Sequence, residues 1–404
     1  MLLVVACPSQ IVVAQTLVTA TSQDESVDAF YLARANRPLW LTGTRKQAQI
    51  LLDILRTSDA DGIALDRNRI ASLEQALRSV TRANIDQTDR RFTDAFVDYV
   101  RNVRRLKNDA TIWVDPELRP SLVFPRSFLN EAAAASSLET YLTEMRWMNP
   151  IYADLRRAIL AGSGKRDELA LNLDRARALP AGSGRYVIVN AAAAQLTMVE
   201  GRKAVGSMRV VVGKPIYPTP TMAALIRFTS LNPVWNVPPD LAAERIAPNV
   251  VKDGKAYLKF KGYQLLSSWD DDATVVRPDS VNWAAVAAGR QEVRIRQLPG
   301  PANAMGKMKF MFPNALGIYL HDTPDKQLLS EASRLFSGGC VRLEDAPRLA
   351  RWLYDGKPPS TDAATPEQRV DLPAPVPVFL TYLTAVPSAG GITYYPDVYH
   401  RDRR

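Results

Sequence analysis

The chain has only two cysteines and two histidines in 404 residues. That scarcity leaves few ways to build a metal centre on thiolate and imidazole ligands, and none is expected. The cysteines are Cys7 and Cys340. If a leader carrying Cys7 is removed, Cys340 remains alone and has no internal disulfide partner. A free thiol in an oxidising compartment is flagged as reactive. Charge of one sign never gathers in a block. The 51 Lys and Arg and 42 Asp and Glu give a net charge of +9 that is scattered along the sequence. This argues against a charged disordered tail. With no nucleic-acid motif beside it, it also argues against nucleic-acid binding. A solvated basic surface is the plain reading, and an anionic polymer is compatible with the same charge. Internal repeats and low-complexity tracts are absent.

Long apolar runs are missing too. Beyond residue 20 nothing approaches the ~20 residues needed to span a bilayer, so no transmembrane span is expected in the mature chain. Residues 1–20 carry no charged side chain and read as a secretory signal peptide, interrupted by Pro8, Ser9 and Gln10 and cleaved near Ala14. A positive n-region is lacking, so the true start is expected upstream. Alternatively, Val4-Val5-Ala6-Cys7 resembles a lipobox, with Cys7 as the lipidated residue.

What is present divides in two. Residues 27–178 read as helical: apolar residues recur at helical spacing at Ala48, Leu51, Leu52, Ile54 and Leu55. Residues 69–80, 93–106 and 138–160 follow suit. This half offers no nucleophile–base pair and reads as a packing module. From Arg185 the character changes to short β-branched strands at 185–190, 196–200, 203–205, 207–213, 293–296, 309–312, 317–321 and 376–384. Residues 330–336 and 345–354 read as helices. Residues 240–290 interrupt the strands with weak periodicity, and an insertion of that length reads as a lid. The expected class is α+β: a helical scaffold domain followed by a mostly-β domain, 185–400, with an inserted lid.

The chemistry gathers between Ile318 and Asp345. A thiol near its ordinary pKa of ~8.5 is only a few per cent thiolate at neutral pH and needs a base. His321, 19 positions before Cys340, is the one good candidate. The carbonyl of Asp322 is a candidate partner for its second nitrogen. Ser337-Gly338-Gly339-Cys340 sets two glycines before the thiol, so a sharp turn there could aim the amides of Gly339 and Cys340 at one point as an oxyanion hole. The residues alone leave the alternative open that Cys340 is a small buried side chain and His321 a structural one.

Tyr319-Leu-His321-Asp-Thr-Pro324 and Ser337-Gly-Gly-Cys-Val-Arg342 resemble the signature of the YkuD-type L,D-transpeptidases: a His, a spacer, then Ser-(His/Ser/Gly)-Gly-Cys. More narrowly they resemble its large YcbB-like branch. The likeness extends to Val212-Gly-Lys-Pro215 with Thr219-Pro220, Asn232-Pro-Val-Trp235-Asn-Val-Pro238, Pro299-Gly300 with Asn303-Ala-Met-Gly306, Lys309-Phe-Met-Phe-Pro-Asn314 and Thr381-Tyr-Leu-Thr-Ala385. Phe30-Tyr31 and Pro38-Leu-Trp40 resemble the start of that branch's helical scaffold. Gly338 departs from the His or Ser often found there, and the peptidoglycan-binding module usual in the branch is absent from the sequence. The resemblance implies a periplasmic enzyme without cofactor. It would form 3→3 cross-links between peptidoglycan tetrapeptide stems, donor and acceptor, and other wall-synthesis proteins are possible partners. Cys340 would be the nucleophile, His321 the base and Gly339 part of the oxyanion hole. Tyr319 and Trp235 would line the substrate channel. Arg342 would be either a structural ion pair or a carboxylate- or thiolate-stabilising contact. Ser337 would hydrogen-bond near the thiolate, and Asn314 would join the substrate site. His400 reads as a bystander.

Overall fold

The computed structural model describes residues 26–402 apart from 108, 121–124, 183 and 361–364. The signal-peptide and Cys7 expectations lie outside the described residues. The chain forms two units. One comprises Met1–Asp109, Arg119–Ser183 and Thr384–Tyr394. The other comprises Ala110–Leu118, Gly184–Leu383 and Tyr395–Arg404.

In the first unit the helices are Val27–Ala33, Lys46–Arg56, Arg67–Arg78, Ile85–Arg104, Pro125–Ala134, Leu138–Thr143, Pro150–Leu160 and Arg166–Ala176. The single helix expected over 138–160 is two. Asn149 caps the second one, its side-chain oxygen accepting from the Ile151 amide with Pro150 in the first turn, so the chain restarts there. Two buried carboxylates organise the packing. Asp89 accepts from the amides of Leu39 (2.8 Å), Trp40 (2.7 Å) and Leu41 (2.9 Å) and from the Tyr31 hydroxyl (2.6 Å). Asp61 accepts from Tyr99, Tyr152 and Arg156. A buried charge is tolerable only when its lone pairs are filled in this way. The first of these networks fixes the Pro38-Leu-Trp40 segment. Among the described residues no helix is long and apolar enough to cross a membrane.

The second unit is built on strands β1 (Ile112–Trp113), β2 (Arg185–Asn190), β3 (Gln195–Glu200), β4 (Lys203–Gly213), β5 (Met222–Leu231), β6 (Trp235–Val237), β7 (Tyr263–Leu266), β8 (Val275–Val276), β9 (Arg294–Gln297), β10 (Met308–Met311), β11 (Leu320–His321), β12 (Leu335–Ser337), β13 (Val341–Leu343) and β14 (Gln368–Thr381). The main sheet runs β1-β5-β10-β11-β13-β4-β3-β2-β14. Because β14 also pairs with β5, the pairings close into a ring. Inward residues such as Val187, Val210, Leu231, Phe310, Leu320, Val341 and Val378 are fully buried and form its core. Helix Ala346–Leu353 packs Leu349, Ala350 and Leu353 against that core.

Two local readings change. Residues 330–336 are not helical: a 3₁₀ turn at Lys326–Ser330 leads into β12, whose Leu335 and Ser337 pair with Val212 and Gly213 of β4. Sheet pairing here outweighs the local helical pattern. The insertion is a folded subdomain, wider than 240–290. Strands β6-β9-β7-β8 form a small sheet. Helical segments Pro239–Leu241, Ala242–Ile246 (π-helical), Ala247–Asp253, Ala256–Phe260 and Trp283–Ala287 cover it. Val237, Ile246, Leu258, Leu265, Trp283, Val286 and Ile295 are its core. We call it the cap.

The C-terminal segment clasps the β4–β5 connection. The Tyr399 hydroxyl donates to the Gly213 carbonyl (2.7 Å), and Arg401 Nη2 donates to the Thr219 carbonyl (3.1 Å).

Candidate active site

Strand register decides which side chains meet. Lys309 on β10 pairs with His321 on β11, which pairs in parallel with Arg342 on β13. Alternate residues of a strand share a face. Tyr319, two before His321, and Cys340, two before Arg342, therefore stand on the same face. Leu320 and Val341 between them point into the core. The rings of Tyr319 and His321 lie 5.7 Å apart, edge to face. Lys309 Nζ lies 5.7 Å from the Tyr319 ring centroid. It also donates to the Val234 carbonyl (3.3 Å) and to Glu367 (3.4 Å).

His321 is 1% exposed. Its Nδ1 sits 2.5 Å from the Asp322 carbonyl oxygen. A carbonyl only accepts, so Nδ1 carries the proton and Nε2 is the basic nitrogen. The Asp322 peptide is itself held, its amide donating to Met308 and its carboxylate accepting from Lys326 (2.8 Å) and the Lys307 amide (3.0 Å). Burial, with the Arg342 cation next in weight, pushes the His321 pKa down to about 3. Burial pushes the Cys340 thiol up to about 11, against hydrogen bonds from Tyr319 and the charges of Arg342 and Lys309. Near neutrality the pair therefore rests as thiol and neutral imidazole.

The depressed histidine pKa carries a stability cost in acid. Between pH 6.5 and about 3 the unfolded chain binds a proton at His321 that the folded chain refuses. Stability is thus complete above pH 6.5 and falls as pH falls through that window, by up to about 1.4 kcal/mol per pH unit. Urea unfolding of wild type and His321→Gln across this range should show a shallower acid slope in the variant.

The nucleophile loop is braced by two hydroxyls. Ser337 Oγ donates to the Cys340 carbonyl (2.6 Å) and accepts from the Gly339 amide (3.1 Å). Thr219 Oγ1 donates to the Gly339 carbonyl (2.8 Å) and accepts from the Gly213 amide (2.9 Å). Gly339 has φ +115°, a conformation that favours glycine. Cys340 Sγ lies 3.6 Å from the Gly317 carbonyl.

These bonds revise three expected roles. The Gly339 amide is engaged by Ser337, so it is not a free oxyanion donor. The Ser337 hydroxyl bonds next to the thiol, as the resemblance implies, but to the loop's backbone, which leaves its grouping with the substrate-binding residues without a contact of its own. Asn314 is likewise consumed: its amide donates to Phe312 (2.8 Å) and Ile318 (2.7 Å), and its oxygen accepts from the Leu316 and Ile318 amides. It shapes the loop leading into Tyr319. Trp235 lies on β6, packed partly buried against the cap's core. Arg342 meets Asp325 at 3.5 Å, while its Nε is buried with no hydrogen-bond partner among the described residues. Lys309 and Thr219 escaped the sequence reading. Both lie in segments singled out there, but only strand register and loop closure bring them to the site.

Residues 184–369 match the family model described as YkuD, the L,D-transpeptidase catalytic domain. This part of the chain is a YkuD L,D-transpeptidase catalytic domain. Residues 25–159, ahead of the YkuD domain, match the family described as a scaffold domain. The chain is 28% identical over 396 residues to a putative L,D-transpeptidase of Haemophilus influenzae, covering 93% of this chain and 77% of that one. A solved L,D-transpeptidase from Mycobacterium smegmatis aligns with a TM-score of 0.24 at 16% identity, over 50% of this chain and 59% of that one. The α+β class expected from the sequence stands, with a helical N-terminal region and a mostly-β YkuD domain.

Proposed function

We propose that the YkuD domain forms 3→3 cross-links in peptidoglycan through a Cys340 thioester. The observation that carries this reading is that Cys340 and His321 stand on one face of two paired strands, Cys340 beside Tyr319 and His321 beside Arg342, with His321 Nδ1 tied to the Asp322 carbonyl. In the first half-reaction His321 Nε2 takes the thiol proton as sulfur attacks the carbonyl of meso-diaminopimelate, the third residue of a donor tetrapeptide stem. The C–S bond forms. The C–N bond to D-alanine then breaks, and the imidazolium returns its proton to the departing amine. In the second, the side-chain amine of an acceptor stem attacks the thioester and gives a proton to His321. The C–N bond forms, the C–S bond breaks, and sulfur recovers its proton. With the Gly339 amide engaged, the Cys340 amide and the Tyr319 hydroxyl, which already bonds to the Cys340 side chain, are the donors assigned to the developing oxyanion. Burial raises the Tyr319 pKa, so the phenol keeps its proton. Arg342 supplies charge beside the thiolate, Trp235 walls the channel from the cap, and the cap excludes competing water.

The same reading places the protein in the periplasm, exported by its leader or anchored through Cys7, with wall-synthesis proteins as neighbours.

The test is incubation of the mature protein with a diaminopimelate-containing disaccharide tetrapeptide, followed by mass spectrometry, beside Cys340→Ala. A cross-linked dimer lacking one D-alanine, and none from the variant, is expected. Tripeptide without dimer marks a hydrolase. Equal product from Cys340→Ala overturns the thioester.

A further inference from the structure

Two glycines precede Cys340, for different reasons. Gly339 has the left-handed φ already noted, and a Cβ there would also stand 3.2 Å from Ile318 Cδ1. Gly338 is not among the positive-φ residues, so its backbone accepts an ordinary side chain. What a side chain at 338 meets is the cap. Its Cβ would lie 3.3 Å from Leu241 Cδ1 and 3.7 Å from Cδ2. The first distance is inside the ordinary separation of about 3.5–4.0 Å between carbons.

Leu241 is buried in the cap's own core and ends the helical turn that runs into the π-helical Ala242–Ile246. That winding is uncommon and recurs at functional positions. The same stretch is fastened on either side of the contact. Arg245 Nη2 donates to the Phe336 carbonyl (3.0 Å), two residues before Gly338. Glu244 pairs with Lys214 (2.6 Å), whose amide donates to the Ser337 carbonyl (3.0 Å). Two contacts from the cap therefore converge on residues 336–338, directly before the nucleophile, and a third reaches them through Lys214.

We propose that Gly338 is the specificity-determining seat of the cap: its missing side chain lets Leu241 close down beside Cys340, and the tightness of that seat sets how the acyl group divides between an amine acceptor and water. The partition rests on the thioester reading above; the seat does not. Hydrolysis differs from transfer only in the attacking atom. Water oxygen adds to the thioester carbonyl, the C–S bond breaks, sulfur regains a proton, and a tripeptide carboxylate leaves. A cap lifted off residue 338 admits water without removing any group that performs the chemistry.

The experiment compares wild type, Gly338→Ala, Gly338→Val, Leu241→Ala and the double variant G338V/L241A. Two readouts are used: the rate of Cys340 alkylation by iodoacetamide, which needs no substrate, and the ratio of tripeptide to cross-linked dimer from the disaccharide tetrapeptide. Gly338→Val is expected to raise both by about tenfold, the scale on which overpacking a close contact acts. Gly338→Ala should fall between it and wild type. The double variant, in which the shortened Leu241 vacates the space, should return both to within about threefold of wild type. Should Gly338→Val fail to fold, as judged by its thermal transition, Gly338→Ala and Leu241→Ala carry the test. Position-338 single variants that fold and leave the alkylation rate unchanged overturn the seat, as does a double variant no nearer wild type than Gly338→Val. If alkylation follows the series while wild type makes no thioester-derived product, the seat stands and the thioester reading falls. If alkylation follows the series while the product ratio stays fixed, the partition claim is lost.

Discussion

A His321→Gln enzyme is expected to form cross-linked product about 10²- to 10⁴-fold more slowly than wild type, the usual worth of a positioned general base. Glutamine keeps a side-chain N–H to offer the Asp322 carbonyl but has no basic nitrogen. The size of the loss follows from the resting state of the pair. With the thiol pushed up to about 11, there is no standing thiolate to carry acylation when the base is gone. The deficit should therefore shrink as pH rises towards that value, because hydroxide then does the work of the imidazole. A merely structural role for His321 would give a loss independent of pH. Product formation followed by mass spectrometry between pH 6 and pH 10 separates the two.

Cys340 itself should behave as a quiet thiol in the free protein. At pH 7 a group with a pKa of about 11 is ionised to about one part in 10⁴, against a few per cent for an unperturbed cysteine. The more basic thiolate is also the more nucleophilic, which recovers part of that difference. The net expectation is alkylation by iodoacetamide about 30-fold slower than that of a free cysteine at pH 7, rising close to tenfold per pH unit towards pH 10. Arg342 and Lys309 both favour the thiolate. Arg342→Met should slow the reaction further and move the profile to higher pH. A profile that levels near pH 7 would mean a preformed thiolate–imidazolium pair, and the base-assisted order of steps would have to be abandoned.

Much of the molecule was legible in the sequence because its signals are local. Apolar spacing at Ala48, Leu51, Leu52 and Leu55 marks a helix whose buried face is made of those residues. The β-branched run at 185–190 is a central strand. Asp322, singled out only as the neighbour of His321, supplies the carbonyl that holds the ring. What stayed hidden depends on partners distant in the chain. Residues 330–336 look helical in isolation, yet their end, from Leu335, is strand because β4 is there to pair with it. The cap's strands are two to four residues long, too short to leave a period. Asn314 and Ser337 carry amide and hydroxyl groups that suit substrate contacts, and only the closed loops reveal that those groups are already spent. Lys309 reaches the site through strand register, which composition does not record.

The braces of the nucleophile loop also have a kinetic meaning. The bond from Thr219 to Gly339 joins residues 120 apart in sequence, and the bond from Tyr399 to Gly213 joins residues 186 apart. Contacts of such separation form late, since long loops must close before they contribute. A chain that has collapsed while these ends are still apart carries Cys340 as an ordinary, solvent-facing thiol. Its period of greatest exposure to oxidants is the time it takes to fold. Maturation and protection of this sulfur are then one event, and anything that delays closure of the sheet prolongs the interval in which the chain can be misoxidised.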